Sequence, residues 1–132
     1  LAENYSVNEL IDNCLAKNKK RISAILNQNN FSDEDCILIL RTMLNKSKRI
    51  LKIKKEINDV RNIDSIISSF KPPIFWKDKE IVKTQIMNWD AIEIENLIYK
   101  INDIEFIVKK NTINTLNIVS DFILNTSSKP NN

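Results

Sequence analysis

Cys14 and Cys36 are the only thiols in the 132-residue chain, and a thiol pair can hold a soft metal or close a disulfide. Each lies among apolar residues at helical spacing, there is no CxxC pair, and no His completes a ligand set. Both are therefore expected as buried, reduced thiols, which favours a reducing compartment. Without His, a general base would have to be Asp, Glu or Lys. The acids fall at helix starts or on outward faces, so Glu93, Glu95, Asp103 and Glu105 read as caps and solvated surface. Ser6 and Ser32 read as helix caps with no activating partner nearby. The chain also contains no Gly, and a phosphate-cradling loop needs residues that tolerate φ > 0 and close backbone approach. No enzyme activity, cofactor or metal is expected from these residues.

Positive charge is the other candidate chemistry. Residues 17–61 carry 12 basic and 5 acidic side chains, net +7, whereas residues 62–132 carry 8 and 9, net −1. On a helical wheel Arg41, Lys48, Lys52 and Lys55 fall within about 60° of one another and form a basic stripe. Such a stripe is either a solvated face or a site for phosphate backbones or acidic partner surfaces. Lys109 and Lys110 close a later helix, where the macrodipole alone favours cations.

The elements that would carry these residues are all helical. Apolar residues make up 42% of the chain and no run is long enough to span a membrane, which points to one globular domain. The chain opens on Leu1 with no leader pattern, as an excerpt from a longer protein would. Ser6 and Glu9 suggest a capping box for a first helix ending near Lys17, and a second begins about Asn18. Lys19, Lys20 and Arg21 stand in its opening turn, against the dipole. Ser32 and Asp35 start a long helix reaching about Asp59, with Ile39, Met43, Ile50, Ile53 and Ile57 inward and Leu40, Leu44 and Leu51 widening that face. A short helix capped by Asn62 buries Ile63, Ile66, Ile67 and Phe70. Asp78 is expected to cap a helix with Val82, Ile86 and Trp89 on one stripe. Asp90 and Glu93 open a second long helix carrying Ile94, Leu97, Ile98, Ile101, Ile104 and Val108. Ile113, Leu116, Val119, Phe122 and Ile123 mark a last one. The expected fold is a compact all-α bundle of about five to seven helices over residues 1–124, with a disordered tail at 125–132.

Between the two halves lies "KPPIFWKDKEIVKTQIMNW", residues 71–89, with two of the three prolines and both tryptophans. Pro72 and Pro73 donate no backbone hydrogen bond and hold φ near −65°, so they launch Phe75 and Trp76 in a fixed direction. The segment reads as a hinge between an N-terminal and a C-terminal set of helices, its rings filling the seam. The alternative is an exposed Pro-aromatic motif bound by a partner.

This stretch, followed one helix later by "IEFIVKKNT", resembles the C-terminal part of the delta-subunit family of bacterial DNA polymerase III, especially its alphaproteobacterial form. The motif residues are Pro72, Pro73, Ile74, Phe75, Trp76, Lys77, Trp89, Glu105 and Lys109, and "NELIDNCLAKNKKRISAILN" resembles the helix pair that opens the family's third domain. The likeness covers roughly residues 5–124. It implies a non-catalytic collar domain of a cytoplasmic clamp loader, holding delta beside the motor (gamma/tau) and delta-prime subunits. It further implies missing N-terminal domains that bind the sliding clamp, and possible contact with primer-template DNA through Lys109 and Lys110. The family often has Gly or a small residue where Lys17 and Asn18 stand, and Gly or an aromatic near Asn111 and Thr112. A separate helical nucleic-acid-binding module, using Arg41, Lys48, Lys52 and Lys55, is the competing expectation.

Overall fold

The computed structural model describes residues 2–57, 62–111 and 113–128. Among them seven α-helices run in order: α1 (Ala2–Leu15), α2 (Lys19–Gln28), α3 (Cys36–Glu56), α4 (Ile63–Ser69), α5 (Lys79–Asn88), α6 (Ala91–Lys110) and α7 (Thr115–Thr126). Short 3-10 turns at Asp33–Asp35 and Trp76–Asp78 lead into α3 and α5. There is no strand among the described residues, and no helix is long and apolar enough to cross a membrane.

Three of the seven helix starts follow from local side-chain chemistry. Asn18 Oδ1 accepts from the Arg21 N–H at 3.1 Å, Asn62 Oδ1 from Ser65 at 2.8 Å, and Asp90 Oδ1 from Glu93 at 2.7 Å. Glu93 Oε1 accepts in return from the Asp90 N–H at 3.0 Å, a complete capping box. Two expected caps are corrected. α1 begins at Ala2, so Ser6 lies inside it, and its hydroxyl donates to Asn29 Oδ1 at 3.0 Å, tying α1 to the end of α2. Asp78 stands before α5 in helical geometry and makes no side-chain cap. Two of the three cations opening α2 have partners: Arg21 pairs with Glu9 at 2.8 Å and Lys19 Nζ donates to Ser128 Oγ at 3.2 Å.

α3 and α6 pack against each other along their lengths as the central pair. The main core gathers Leu10, Ile11 and Leu15 of α1, Ile22 and Ile25 of α2, Ile39, Leu40, Met43 and Ile50 of α3, and buried residues of α6 and α7. A satellite core under α4 holds Ile53, Ile66, Ile67, Phe70, Ile74, Val82 and Ile86. The inward faces of α3 to α6 are those their apolar periods predict. The two halves of the chain are therefore interleaved rather than stacked as separate layers, because an α3 from one half is covered by an α6 from the other.

The ends differ from expectation. α3 stops at Glu56, and the stretch toward Asp59 lies outside the described residues. α7 continues through residue 126, and Ser127 beyond it is buried, so residues 125–128 are not a disordered tail. Residues 129–132 lie outside the described set. Ile113 is exposed ahead of α7 rather than on its inner face.

Candidate interaction surface

The paired prolines do launch their followers along an extended path, but with a different side chain inward. Ile74 enters the satellite core, while Phe75 and Trp76 are 57% and 69% exposed. This corrects the expectation that these rings fill a seam. On extended backbone successive side chains point to opposite sides, so seating Ile74 turns Phe75 outward. The following 3-10 turn, closed by the Asp78 N–H on the Phe75 carbonyl at 2.8 Å, keeps Trp76 on the solvent side. The rings lie 5.9 Å apart at 49°, and Lys77 Nζ stands 5.5 Å from the Trp76 ring. Pro72 and Pro73 are exposed as well. The arrangement is that of an open Pro-aromatic ledge.

Beside the ledge is an open groove of about 630 Å³, with Tyr5, Phe75 and Ile81 as apolar wall and Asp12, Lys46 and Asp78 in its lining. Lys46 Nζ lies 2.7 Å from Asp12 Oδ1, both side chains largely buried. Gln85 Nε2 donates to the Asp12 carbonyl at 3.0 Å and to its Oδ1 at 3.3 Å. Neither Asp12 nor Gln85 was singled out in the sequence, since an Asp mid-helix and a Gln between apolar residues resemble ordinary surface positions.

Trp89 is the inward tryptophan. Its ring is 8% exposed, its indole N–H donates to the Leu15 carbonyl at 2.8 Å, and Lys17 Nζ lies 4.3 Å from the ring. Lys17 has φ 58°, the left-handed geometry that commonly ends a helix on Gly. Trp89 is thus a structural residue.

The basic stripe is divided. Arg41 Nε pairs with Glu105 Oε1 at 3.5 Å, and Lys109 Nζ reaches the other oxygen of Glu105 at 3.5 Å. Lys110 Nζ lies 4.4 Å from the Phe106 ring. Arg41, Lys109 and Lys110 therefore gather at the C-terminal end of α6. Lys48, Lys52 and Lys55 are exposed farther along α3, beginning about 10 Å from Arg41 by helical rise. Lys48 and Lys52 are joined by Arg49 and Lys71, which the sequence reading missed, around a groove of about 340 Å³ walled by Phe70 and Pro72. The wheel alone could not find Lys71, because it comes from a different element.

Neither thiol is set up for chemistry. Burial pushes the Cys14 thiol far above its ordinary range, and burial together with Asp33 and Asp35 pushes Cys36 up to about 11. Both are free and buried, and among the described residues no cluster of three or more His, Cys, Asp or Glu could hold a metal.

No family model, curated protein or solved structure matches this chain. The delta-subunit resemblance is thus carried by the residues of the motif alone.

On the outer face of α6, Ile92, Tyr99 and Phe106 recur every seven residues and are all exposed. Seven residues are close to two helical turns, so they form one apolar line along the helix.

Proposed function

We propose that this chain is a non-catalytic assembly module, the collar domain of a DNA polymerase III delta subunit, holding that subunit beside the motor (gamma/tau) and delta-prime subunits of a clamp loader. The observation that carries the reading is the line Ile92, Tyr99 and Phe106 along the outside of α6. Three large apolar side chains at one helical register are the pattern by which a helix docks on a neighbour. The exposed Phe75 and Trp76 ledge offers a second contact, in the segment that carries the family resemblance. The partners, the bacterial cytoplasm and the sliding clamp held through other domains come from the resemblance.

The test is size-exclusion chromatography of the chain with the motor and delta-prime subunits of one clamp loader. Co-elution, lost on Tyr99→Glu with helical circular dichroism unchanged, is the expected result. Separate elution of wild-type chain and partners overturns the reading.

A further inference from the structure

The groove between α3 and the Phe70–Pro72 turn is built almost wholly of donors. Lys48, Arg49, Lys52 and Lys71 contribute ammonium and guanidinium groups, which donate and never accept. Phe70 and Pro72 supply apolar wall, and no carboxylate lines the groove. Asn45 is its one side-chain acceptor, and Lys46 is already committed to Asp12. α3 as a whole carries seven basic residues against the single acid Glu56.

Arg49 gives the groove a directed feature. Its Nε–H is sealed from solvent and has no hydrogen-bond acceptor, and no described carboxylate lies within ion-pair reach of its guanidinium. Burial holds Arg49 below its ordinary range despite the fields of Asp12 and Asp78. An N–H buried without an acceptor is costly, and turning the half-buried guanidinium onto an anion in the groove, in a forked charge-assisted hydrogen bond, removes that cost.

We infer that this groove binds the phosphodiester backbone of a nucleic acid, with Arg49 taking one phosphate and Lys48, Lys52 and Lys71 the charge of its neighbours. The donor-only lining decides between a nucleic acid and an acidic peptide. A peptide brings backbone N–H groups that need acceptors, and the groove's side chains provide one; a phosphodiester strand presents acceptors along its whole edge. With Arg49, Lys48, Lys52 and Lys71 assigned to phosphates, Asn45 alone is left to read a base edge, so binding is largely independent of sequence. The inference does not rest on the assembly reading: loss of either leaves the other standing.

The experiment is fluorescence anisotropy of the 132-residue chain with a labelled oligothymidylate across a salt series. Four contacts at about 0.7 each give a log–log salt slope near −2.8, so affinity falls about fiftyfold over a fourfold rise in salt. Lys48→Gln, Lys52→Gln and Lys71→Gln, at exposed positions that leave the fold intact, each lower the slope by about 0.7. Arg49→Lys, which keeps the charge and loses the fork, weakens binding with the slope unchanged. Arg41→Gln, whose side chain is tied to Glu105, leaves both affinity and slope as they were. Absence of binding at low salt overturns the inference. So does an Arg41→Gln effect equal to that of Lys52→Gln, which marks a diffuse field, or competition by polyglutamate as effective as by unlabelled oligothymidylate of equal charge.

Discussion

The indole of Trp89 donates to the Leu15 carbonyl at 2.8 Å across 74 positions of sequence, so the end of α5 caps the end of α1. Asn88 Nδ2 donates to the Ala16 carbonyl at 2.8 Å and Gln85 Nε2 to that of Asp12, so three side chains of the α5 end serve carbonyls of one helix terminus. Terminal carbonyls such as those of Leu15 and Ala16 have no partner within their own helix, and here another helix supplies it, whereas the Asp12 carbonyl also accepts from the Ala16 N–H at 3.1 Å. Trp89→Phe keeps most of the ring and strands the Leu15 carbonyl, which should cost about 1–3 kcal/mol, while Trp89→Ala adds a cavity and should cost about 3–5 kcal/mol. Urea denaturation of the two variants measures the difference, and equal losses would assign the whole effect to packing.

The other tryptophan should behave in the opposite way. Trp76 and Phe75 stand in solvent, so Trp76→Ala and Phe75→Ala should each change stability by no more than about 0.5 kcal/mol. In the wild type iodide should quench Trp76 and leave Trp89 largely protected. A loss of several kcal/mol in either alanine variant, or two equally protected indoles, would contradict this placement.

The contrast between these residues marks what the sequence could disclose. Helix faces were legible because burial repeats with the helical period: Ile39, Met43, Ile50 and Ile53, or Ile94, Leu97 and Ile101, are inward as their spacing requires. Caps were legible at Asn62 and Asp90, where both partners lie within three residues. Contacts between distant elements were not. Asn114, before α7, has φ 62° and caps nothing with its side chain; Asp33 Oδ1 instead accepts from the Leu116 N–H at 3.0 Å, 83 positions away. The same limit hid Lys71 from the basic groove and sent Phe75 and Trp76 inward in the reading of the elbow. Apolar content forecasts burial on a helix, but on extended backbone only alternate side chains can enter the core.

Asp33 therefore deserves a direct comparison with Asn62. Asp33→Ala removes an acceptor from the first turn of α7, and Asn62→Ala does the same for α4; each should cost about 1 kcal/mol. Hydrogen exchange should separate them, with faster exchange in α7 for the first variant and in α4 for the second. Unchanged exchange in α7 on loss of Asp33 would show that the long-range cap adds nothing.

The buried ion pair should resist single substitution more poorly than double substitution. Asp12→Ala leaves the largely buried Lys46 ammonium without its carboxylate and takes one acceptor away from the Gln85 Nε2 donor, so a loss of about 3–5 kcal/mol is expected. Asp12→Leu with Lys46→Met removes both charges at once and should recover a substantial part of that loss. Denaturant midpoints of the single and double variants form the cycle, and additive losses would mean that the two groups act independently.

Alkaline pH should weaken the fold through its thiols. Cys36 is held up to about 11 in the folded chain, above the ordinary thiol value of about 8.5, so the unfolded chain releases its proton first. As pH rises through that interval the unfolded state binds fewer protons than the folded one, and stability falls with pH. The contribution is fully present below the unfolded value and is lost as pH passes through the folded one. Cys14, pushed higher still by burial, acts in the same direction. Urea midpoints should therefore decline from pH 8 toward pH 11, and Cys36→Ala should flatten part of that decline. In parallel, a thiol-specific disulfide reagent should label neither cysteine in the native chain and both in urea, because the thiolate is the reactive form and neither site supports it. Rapid native labelling, or a midpoint that rises with pH in wild type and not in Cys36→Ala, would place the thiols in a polar setting that the packing of α1, α3 and α7 does not provide.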